Sequence, residues 1–446
     1  MIDFDKIANH SYIWDIIMPY FRLAFCDIFF KEYCIVGREN IPPPNTPLFV
    51  IANHQNSVND ALAIISMFKD YRQPVSLARG DAFKKDRIAK ILRFWKVMPT
   101  YRSRDGEKSD ILKNVGTFQI ASNILKNGGV IIMFPEAEHQ QGRFLGTFKK
   151  GVPRICFNAE EAANYTLNLQ ILPVNLHYSN IQKFREKILI EIGSPFKINE
   201  LLELYKTNPN EAYTQFNEKA RNILKSMVLD IEERAYYEEY NLLRELVRSY
   251  RIKNNYTTYN FFDEFKEEKK VIYEINRLKN EDPKKFEVLM TTTKAYSQSL
   301  KKMNLRNELV NKKITGLGLV AKTVLLILLF PVFLFGFINN GVPCYLTSFL
   351  LKKIKDKVFH GSIQFAIGFL LFPLWYLLIF ILLWFISNSI IIALSYTILA
   401  FVSLFIYFRY KVTVLKLRHT WRYFLKRNTD AIINLNELKT KILSFF

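Results

Sequence analysis

Cysteine is scarce in this chain, and charge is missing from two long stretches of it. The four cysteines, Cys26, Cys34, Cys156 and Cys344, show no CxxC spacing, and Cys344 lies in an apolar run. That pattern argues against a disulfide framework and a zinc site, and reads as reduced thiols with no metal bound. No zinc-finger or RNP-like pattern appears among the basic residues, so nucleic acid is not the expected partner. Residues 1–30 lack a small-residue cleavage pattern and carry Asp3 and Asp5 before any basic residue, so no secretory signal peptide is expected there. Acidic residues are also short, 41 against 62 Lys and Arg, a formal net charge of +21. Because the basic residues crowd beside apolar segments, the expected counterpart is anionic membrane lipid.

The uncharged stretches are Thr323–Leu351, of 29 residues, and Ser362–Phe408, of 47 residues without Asp, Glu, Lys, Arg or His. At ~1.5 Å per residue the second is roughly 70 Å long, enough for two crossings of a ~30 Å hydrocarbon core. Ser387-Asn388-Ser389 is the expected turn between them. Pro331, Gly336, Asn339-Asn340-Gly341 and Pro343 interrupt the first stretch, which predicts a kinked or re-entrant hairpin rather than one straight span. Basic residues flank both stretches: Lys301, Lys302, Arg306, Lys312 and Lys313 before, Lys352, Lys353, Lys355 and Lys357 between, and seven from Arg409 onward with no acidic residue before Thr429. The positive-inside rule then predicts an integral membrane protein whose soluble part faces the cytoplasm.

Short apolar runs mark the soluble part: 33–36, 47–52, 74–78, 96–100, 129–134, 169–176 and 187–192. Helix-like stretches lie between and after them, near 57–68, 83–94, 109–126, 151–163 and 199–234. Such alternation predicts an α/β domain with a largely parallel sheet. Residues 12–30, dense in aromatics, read equally as a helix packed on that domain or as an interfacial helix. From 236 to 313 there is no Gly and one Pro, Pro283, which predicts a charged helical connector, either solvated or packed as helices beside the domain. The expected domains are 1–32, an interfacial or packing helix; 33–235, catalytic; 236–313, connector; 314–427, membrane region; and 428–446, tail.

Three motifs sit where strands end. His54 follows Leu48–Ala52, and Asp60 lies six residues on. Six residues within one helix put two side chains on different faces, roughly 240° apart at ~100° each. His54 therefore belongs in the turn before the helix, with Ser57 as N-cap and Asp60 at N3 in a capping box that aims the carboxylate back. An imidazole oriented by a carboxylate is a general base. Arg102 and Arg104 follow Pro99-Thr100-Tyr101, where a guanidinium can grip a phosphate bidentately. Glu136 ends Phe134-Pro135-Glu136 and is placed to meet the acceptor's hydroxyls or brace Arg102. Downstream, Lys149 and Lys150 precede a helix start that favours an anion. Pro173, in Ile171-Leu172-Pro173-Val174, predicts a strand beginning or edge. This set suits moving an acyl group onto the hydroxyl of a phosphorylated small molecule.

In the order and content of these blocks, residues 35–235 resemble the glycerophosphate acyltransferase (PlsC-like) superfamily. The resemblance implies His54 as catalytic base and Asp60 as its orienting partner, with Arg102 and Glu136 at the acceptor and Pro173 at the acyl site. It implies no cofactor. The acyl donor is acyl-CoA or acyl carrier protein, and the acceptor is glycerol 3-phosphate or lysophosphatidic acid. The family's common spacing puts four residues between His and Asp; here there are five, and Asn59 holds the four-spaced position. That wider spacing, with a membrane region after the domain, is similar to the glycerol-3-phosphate and dihydroxyacetone-phosphate acyltransferase branch. Ala137 and His139 depart from the family's third block. Two other readings stay open from the residues: a metal-dependent hydrolase with His54, Asp60, Glu136 and His139 as ligands, which chelator sensitivity distinguishes, and a non-catalytic membrane scaffold or transporter.

Overall fold

In a computed structural model of the chain, residues 4, 6–70, 72–101, 108–136, 142–255 and 260–446 are described. They divide into two compact units, Met1–Asp230 with Asp356–Phe365, and Ile231–Lys355 with Ala366–Phe446.

The first unit is built on one sheet. Its strands are β1 (Glu32–Val36), β2 (Leu48–Ala52), β3 (Val75–Arg79), β4 (Val97–Thr100), β5 (Val130–Met133), β6 (Gln170–Tyr178), β7 (Lys187–Ile192) and the short β8 (Phe196–Lys197). The order is β1-β7-β6-β2-β5-β3-β4, with β8 beside β6. Every pairing is parallel except β6 with β7 and β6 with β8. Central β2 runs parallel to both its neighbours, and all five of its residues are buried. Its unbroken apolar run is what a strand covered on both faces requires.

The unit's helices are α1 (Tyr12–Arg22), α2 (Val58–Met67), α3 (Asp86–Phe94), α4 (Lys108–Lys126), α5 (Gly151–Ala162), α6 (Leu202–Thr207) and α7 (Pro209–Met227). The expected helix over 199–234 is split at Asn208, whose side chain accepts the Glu211 N–H while Pro209 opens α7. Phe49, Ile51, Ile131, Val152, Ile155, Phe216 and Leu224 share one core cluster. A π-helical turn, Leu23–Phe29, continues α1. Phe21, Phe25 and Phe29 line up along it, each ring 5.0–6.0 Å from that of Phe365. The opposite side of the segment leaves Ile13, Ile16 and Leu23 more than half exposed. Both readings of residues 12–30 thus have a face that suits them.

Pro173 requires a correction. It lies inside β6, not at a beginning or an edge. Residues 170–171 of β6 pair with β8, residues 174–178 pair with β7, and Pro173 falls between the two. Its carbonyl accepts the Gly193 N–H at 2.9 Å. The N and O of one strand residue point the same way, so the missing N–H faces this gap in the ladder.

The second unit is helical: α8 (Tyr237–Asn255), α9 (Phe261–Glu281), α10 (Pro283–Met303), α11 (Gly316–Leu328), α12 (Phe330–Lys352), α13 (His360–Ser387), α14 (Ile390–Lys426) and α15 (Asp430–Leu443), with the first turn of α13 belonging to the first unit. The charged connector is packed rather than merely solvated: Arg244 and Arg248 reach Glu268 at 2.5 and 2.6 Å, and Glu268 is almost fully buried. Among the described residues three helical segments are long and apolar enough to cross a membrane, Phe330–Lys352, Lys357–Ser387 and Ile390–Lys426.

Of the residues expected to interrupt Thr323–Leu351, Asn339–Pro343 make no turn. The chain breaks at Leu329, and α12 runs through Asn339, Asn340 and Pro343. Pro343 cannot donate to the Asn339 carbonyl, and the Trp375 indole N–H donates to it instead at 2.6 Å. The Asn340 amide donates to the Ala400 carbonyl and the Ser403 hydroxyl, and its oxygen accepts from Tyr376 at 2.6 Å. A Cβ on Gly336 would come within 2.8 Å of the Ser403 carbonyl, so glycine permits this close approach of α12 and α14. Polar residues that read as a turn are instead the contacts between helices.

Candidate active site

The site begins where β2 ends. Asn53 prolongs the sheet with its side chain: its amide donates to the Leu176 carbonyl at 2.9 Å and accepts the Leu176 N–H at 2.8 Å. That fixes the backbone immediately before His54.

His54 Nδ1 lies 2.8 Å from Asp60 Oδ2. The same oxygen accepts the N–H groups of Gln55 and Asn56, each at 2.8 Å. Asp60 Oδ1 accepts from the Tyr178 hydroxyl at 2.7 Å. Four donors therefore hold a carboxylate with no exposure at all. Burial, and next the Asp60 carboxylate beside it, keeps the Tyr178 phenol well above its ordinary pKa, so the phenol stays a donor. With Nδ1–H donating to Asp60, the basic lone pair of the imidazole is on Nε2.

The expected capping box is not formed. Ser57 is the N-cap residue, but its side chain caps nothing, and its backbone is at φ 47°, ψ −125°. That is a costly conformation for a residue with a Cβ. Asp60 instead accepts the N–H groups of Gln55 and Asn56, two and one residues before the N-cap N–H that the box would have it hold. The strained turn is what lets Asp60 at the wider spacing, and not Asn59, reach the imidazole. Asn59 is fully buried and points away; its N–H donates to Ser362 Oγ at 3.1 Å.

Phe134 stacks on the His54 ring, with centroids 4.2 Å apart and planes 15° from parallel. Glu136, expected at the acceptor, is buried to 2% exposure, with Oε1 accepting the His54 N–H at 3.0 Å and Oε2 the Gly146 N–H at 2.6 Å. It ties the ends of β2 and β5 together. Burial pushes its carboxyl up to about 7, against the pull of the two N–H donors. Lys149 donates its N–H to the Pro135 carbonyl at 2.8 Å, which places this exposed lysine beside the same segment. Pro173 is paired with Ile51, three residues before His54. Arg102, Arg104 and His139 lie outside the described residues.

Four contributors were not anticipated. Tyr178 and Asn53 hold Asp60 and the turn, as above. Arg143 donates to the Tyr178 carbonyl at 3.0 Å. Ser362, expected to open a membrane stretch, is buried against the catalytic turn: its hydroxyl donates to the Asn56 carbonyl at 2.9 Å while accepting from Asn59. Next to it, a Cβ on Gly361 would stand 2.2 Å from the Ile181 carbonyl oxygen. A polar residue directly after a buried strand is a legible signal for Asn53. Ser362 carries no such signal, because it is more than 300 residues from its partner in sequence.

Residues 32–177 match the family described as Acyltransferase. Part of the chain is 31% identical, over 117 residues, to "Glycerol-3-phosphate O-acyltransferase 2" of Saccharomyces cerevisiae, covering 26% of this chain and 16% of that one. Another alignment, 28% identical over 122 residues, is to the chloroplastic "1-acyl-sn-glycerol-3-phosphate acyltransferase LPAT1" of Arabidopsis thaliana, covering 27% of this chain and 32% of that one. The matched part thus spans about a third or less of those relatives. The solved 1-acyl-sn-glycerophosphate acyltransferase of Thermotoga maritima aligns with 51% of this chain and 83% of that chain at 20% identity, with a TM-score of 0.35.

Proposed function

We propose, from the match of residues 32–177 to the Acyltransferase family and the likeness to glycerol-3-phosphate and 1-acylglycerol-3-phosphate acyltransferases, that this chain belongs to the glycerophosphate acyltransferase (PlsC-like) superfamily and moves a fatty acyl group from a thioester to the hydroxyl of glycerol 3-phosphate or 1-acyl-glycerol 3-phosphate. The observation that carries the reading is the His54–Asp60 contact at the end of the central strand, inside the matched residues.

His54 Nε2 takes the proton of the acceptor hydroxyl as its oxygen attacks the thioester carbonyl. Asp60 steadies the imidazolium that forms, itself held by Tyr178 and two backbone N–H groups. The tetrahedral intermediate collapses with cleavage of the C–S bond, and the leaving thiolate takes the proton from His54. Arg102, Arg104 and Lys149 hold the acceptor's phosphate, and Pro173 belongs to the acyl site. Glu136 acts by bracing the His54 turn. The donor is acyl-CoA or acyl carrier protein. The long apolar helices span a membrane with the catalytic unit on the cytoplasmic side, where both substrates and the retained lipid product meet.

The test is purified enzyme assayed with both acceptors and both donors, beside His54→Ala. The variant should lose about 10²–10⁴-fold in kcat without a change in melting temperature. Near-normal turnover in the folded variant sinks the mechanism.

A further inference from the structure

The second unit holds a cleft of about 710 Å³ that the acyl transfer does not use. One wall is a stripe of α11 and its C-cap (Gly318, Lys322, Leu325, then Leu329) and another a stripe of α14 (Ile406, Arg409, Thr413, Lys416), each at helical three- and four-residue spacing. The loop from Arg306 to Thr315 closes one end, fixed by the Lys439 ammonium on the carbonyls of Asn307 and Val310 at 3.3 and 2.9 Å. Tyr410 clamps the walls together through a 2.9 Å bond to the Leu326 carbonyl.

Six cations line the cleft, Arg306, Lys312, Lys313, Lys322, Arg409 and Lys416, against one acid, Glu308. None of the six makes an ion pair within the described residues. The lining is also sorted along its length. On α11 and its C-cap, Lys322 comes before Leu325, Leu326 and Leu329; on α14, Arg409 and Lys416 come after Ile406. The stripe from Thr315 to Leu329 is ~21 Å long at ~1.5 Å per residue. That is about half the thickness of a bilayer with its headgroups.

We propose that this cleft holds one anionic glycerophospholipid, its phosphate among the cations and an acyl chain along Leu325, Leu329 and Ile406. Charge complementarity carries the choice of occupant. Unpaired Lys and Arg at the edge of an apolar helical region attract anionic headgroups, and the apolar end gives a soluble phosphate nothing to contact. The site is separate from the catalytic turn, so binding is read without activity.

The experiment uses the full chain in mild detergent, with bound lipid counted by native mass spectrometry against added phosphatidylglycerol or phosphatidylcholine. One phosphatidylglycerol should be retained in preference to phosphatidylcholine, and millimolar inorganic phosphate or glycerol 3-phosphate should not displace it. Lys322→Gln with Lys416→Gln should weaken retention roughly 25-fold, about fivefold for each cation. Lys353→Gln with Lys355→Gln, which removes equal charge outside the cleft, should leave retention unchanged. Equal retention of both lipids, an equal loss in the control pair, or displacement by the soluble phosphates overturns the proposal. If the cleft variant aggregates, a photoreactive phosphatidylglycerol on the wild-type chain decides: crosslinks must fall within 306–329 or 406–420, and crosslinks confined elsewhere refute it.

Discussion

Tyr178→Phe isolates the least expected member of the site. It deletes one oxygen and keeps the buried ring, which packs 6.1 Å from Phe30. The lost bond is a 2.7 Å donation to Asp60 Oδ1, and both residues are essentially without solvent exposure, so water does not replace it. A hydrogen bond to a charged group contributes about 1.5–3 kcal/mol, and an acceptor stranded in the interior costs a similar amount. The expected destabilisation is therefore about 2 kcal/mol, or roughly 4–8 °C in Tm for a unit of this size. The chemical effect has a distinct signature. With one donor fewer, the Asp60 carboxylate is free to turn about its last bond and holds the imidazole less well, so kcat should fall while KM for both substrates changes little. Thermal melts and steady-state kinetics measure both. A variant that loses stability while its kcat stays put shows that Tyr178 is only a core residue. A variant unchanged in both would falsify the whole account of Asp60 as a four-donor carboxylate.

Ser362→Ala should remove the hydroxyl that braces the Asn56 carbonyl and the Asn59 N–H, which keep their own 3.0 Å bond to each other, costing about 1 kcal/mol and lowering kcat, with Ser362→Thr recovering much of both; equal kcat for Ala and wild type removes Ser362 from the site. Glu136 has a folded pKa raised from 4.5 to about 7, so its contribution to stability is present below about pH 4.5 and is lost as pH rises through about 7. Glu136→Gln, neutral throughout, should lack that fall of about 3 kcal/mol, and a flat difference between the two melting curves across this window refutes the buried setting. Arg102→Ala should raise KM for the phosphorylated acceptor and leave the donor's KM alone; a rise confined to the donor places Arg102 at the thioester instead. Single cysteines at Lys353 and Lys416, in a background without the native four, should both be protected from labelling outside intact cells, and labelling at Lys353 alone breaks the basic-flank argument.

The sheet was legible because its strands are apolar runs bounded by turn residues. The run at 187–192 coincides with β7, and the others fall within two residues of their strands. The two residues of β8 were not, since a pair of positions carries no period. His54 and Asp60 were found as a pair, but the device that joins them was misread. Sequence spacing suggests a capping box from residue types alone; the strained Ser57 backbone that shifts Asp60 onto Gln55 and Asn56 is a tertiary outcome. The partners of Glu136 were hidden for a related reason. A carboxylate at a strand end is read as reaching for substrate, and nothing local reveals that two backbone N–H groups from distant segments claim it first.

The apolar C-terminal region shows why some errors are systematic. Asn, Gly and Pro break helices in water because water solvates the backbone groups they free. In a region without water those groups need protein partners, and once they have them the same residues become interhelical contacts. Pro343 frees the Asn339 carbonyl and Trp375 takes it; Asn340 bonds the backbone and side chains of two other helices. The break falls instead at Leu329, two residues before Pro331, because proline is tolerated in a first helical turn, where its missing N–H has no partner to lose. Trp375 therefore offers a discriminating substitution. Trp375→Phe keeps the ring's bulk and leaves the Asn339 carbonyl without its donor, so α12 should weaken at Pro343, which hydrogen exchange at 340–346 reads directly. Unchanged protection there would mean that Pro343 is accommodated without help from a neighbouring helix.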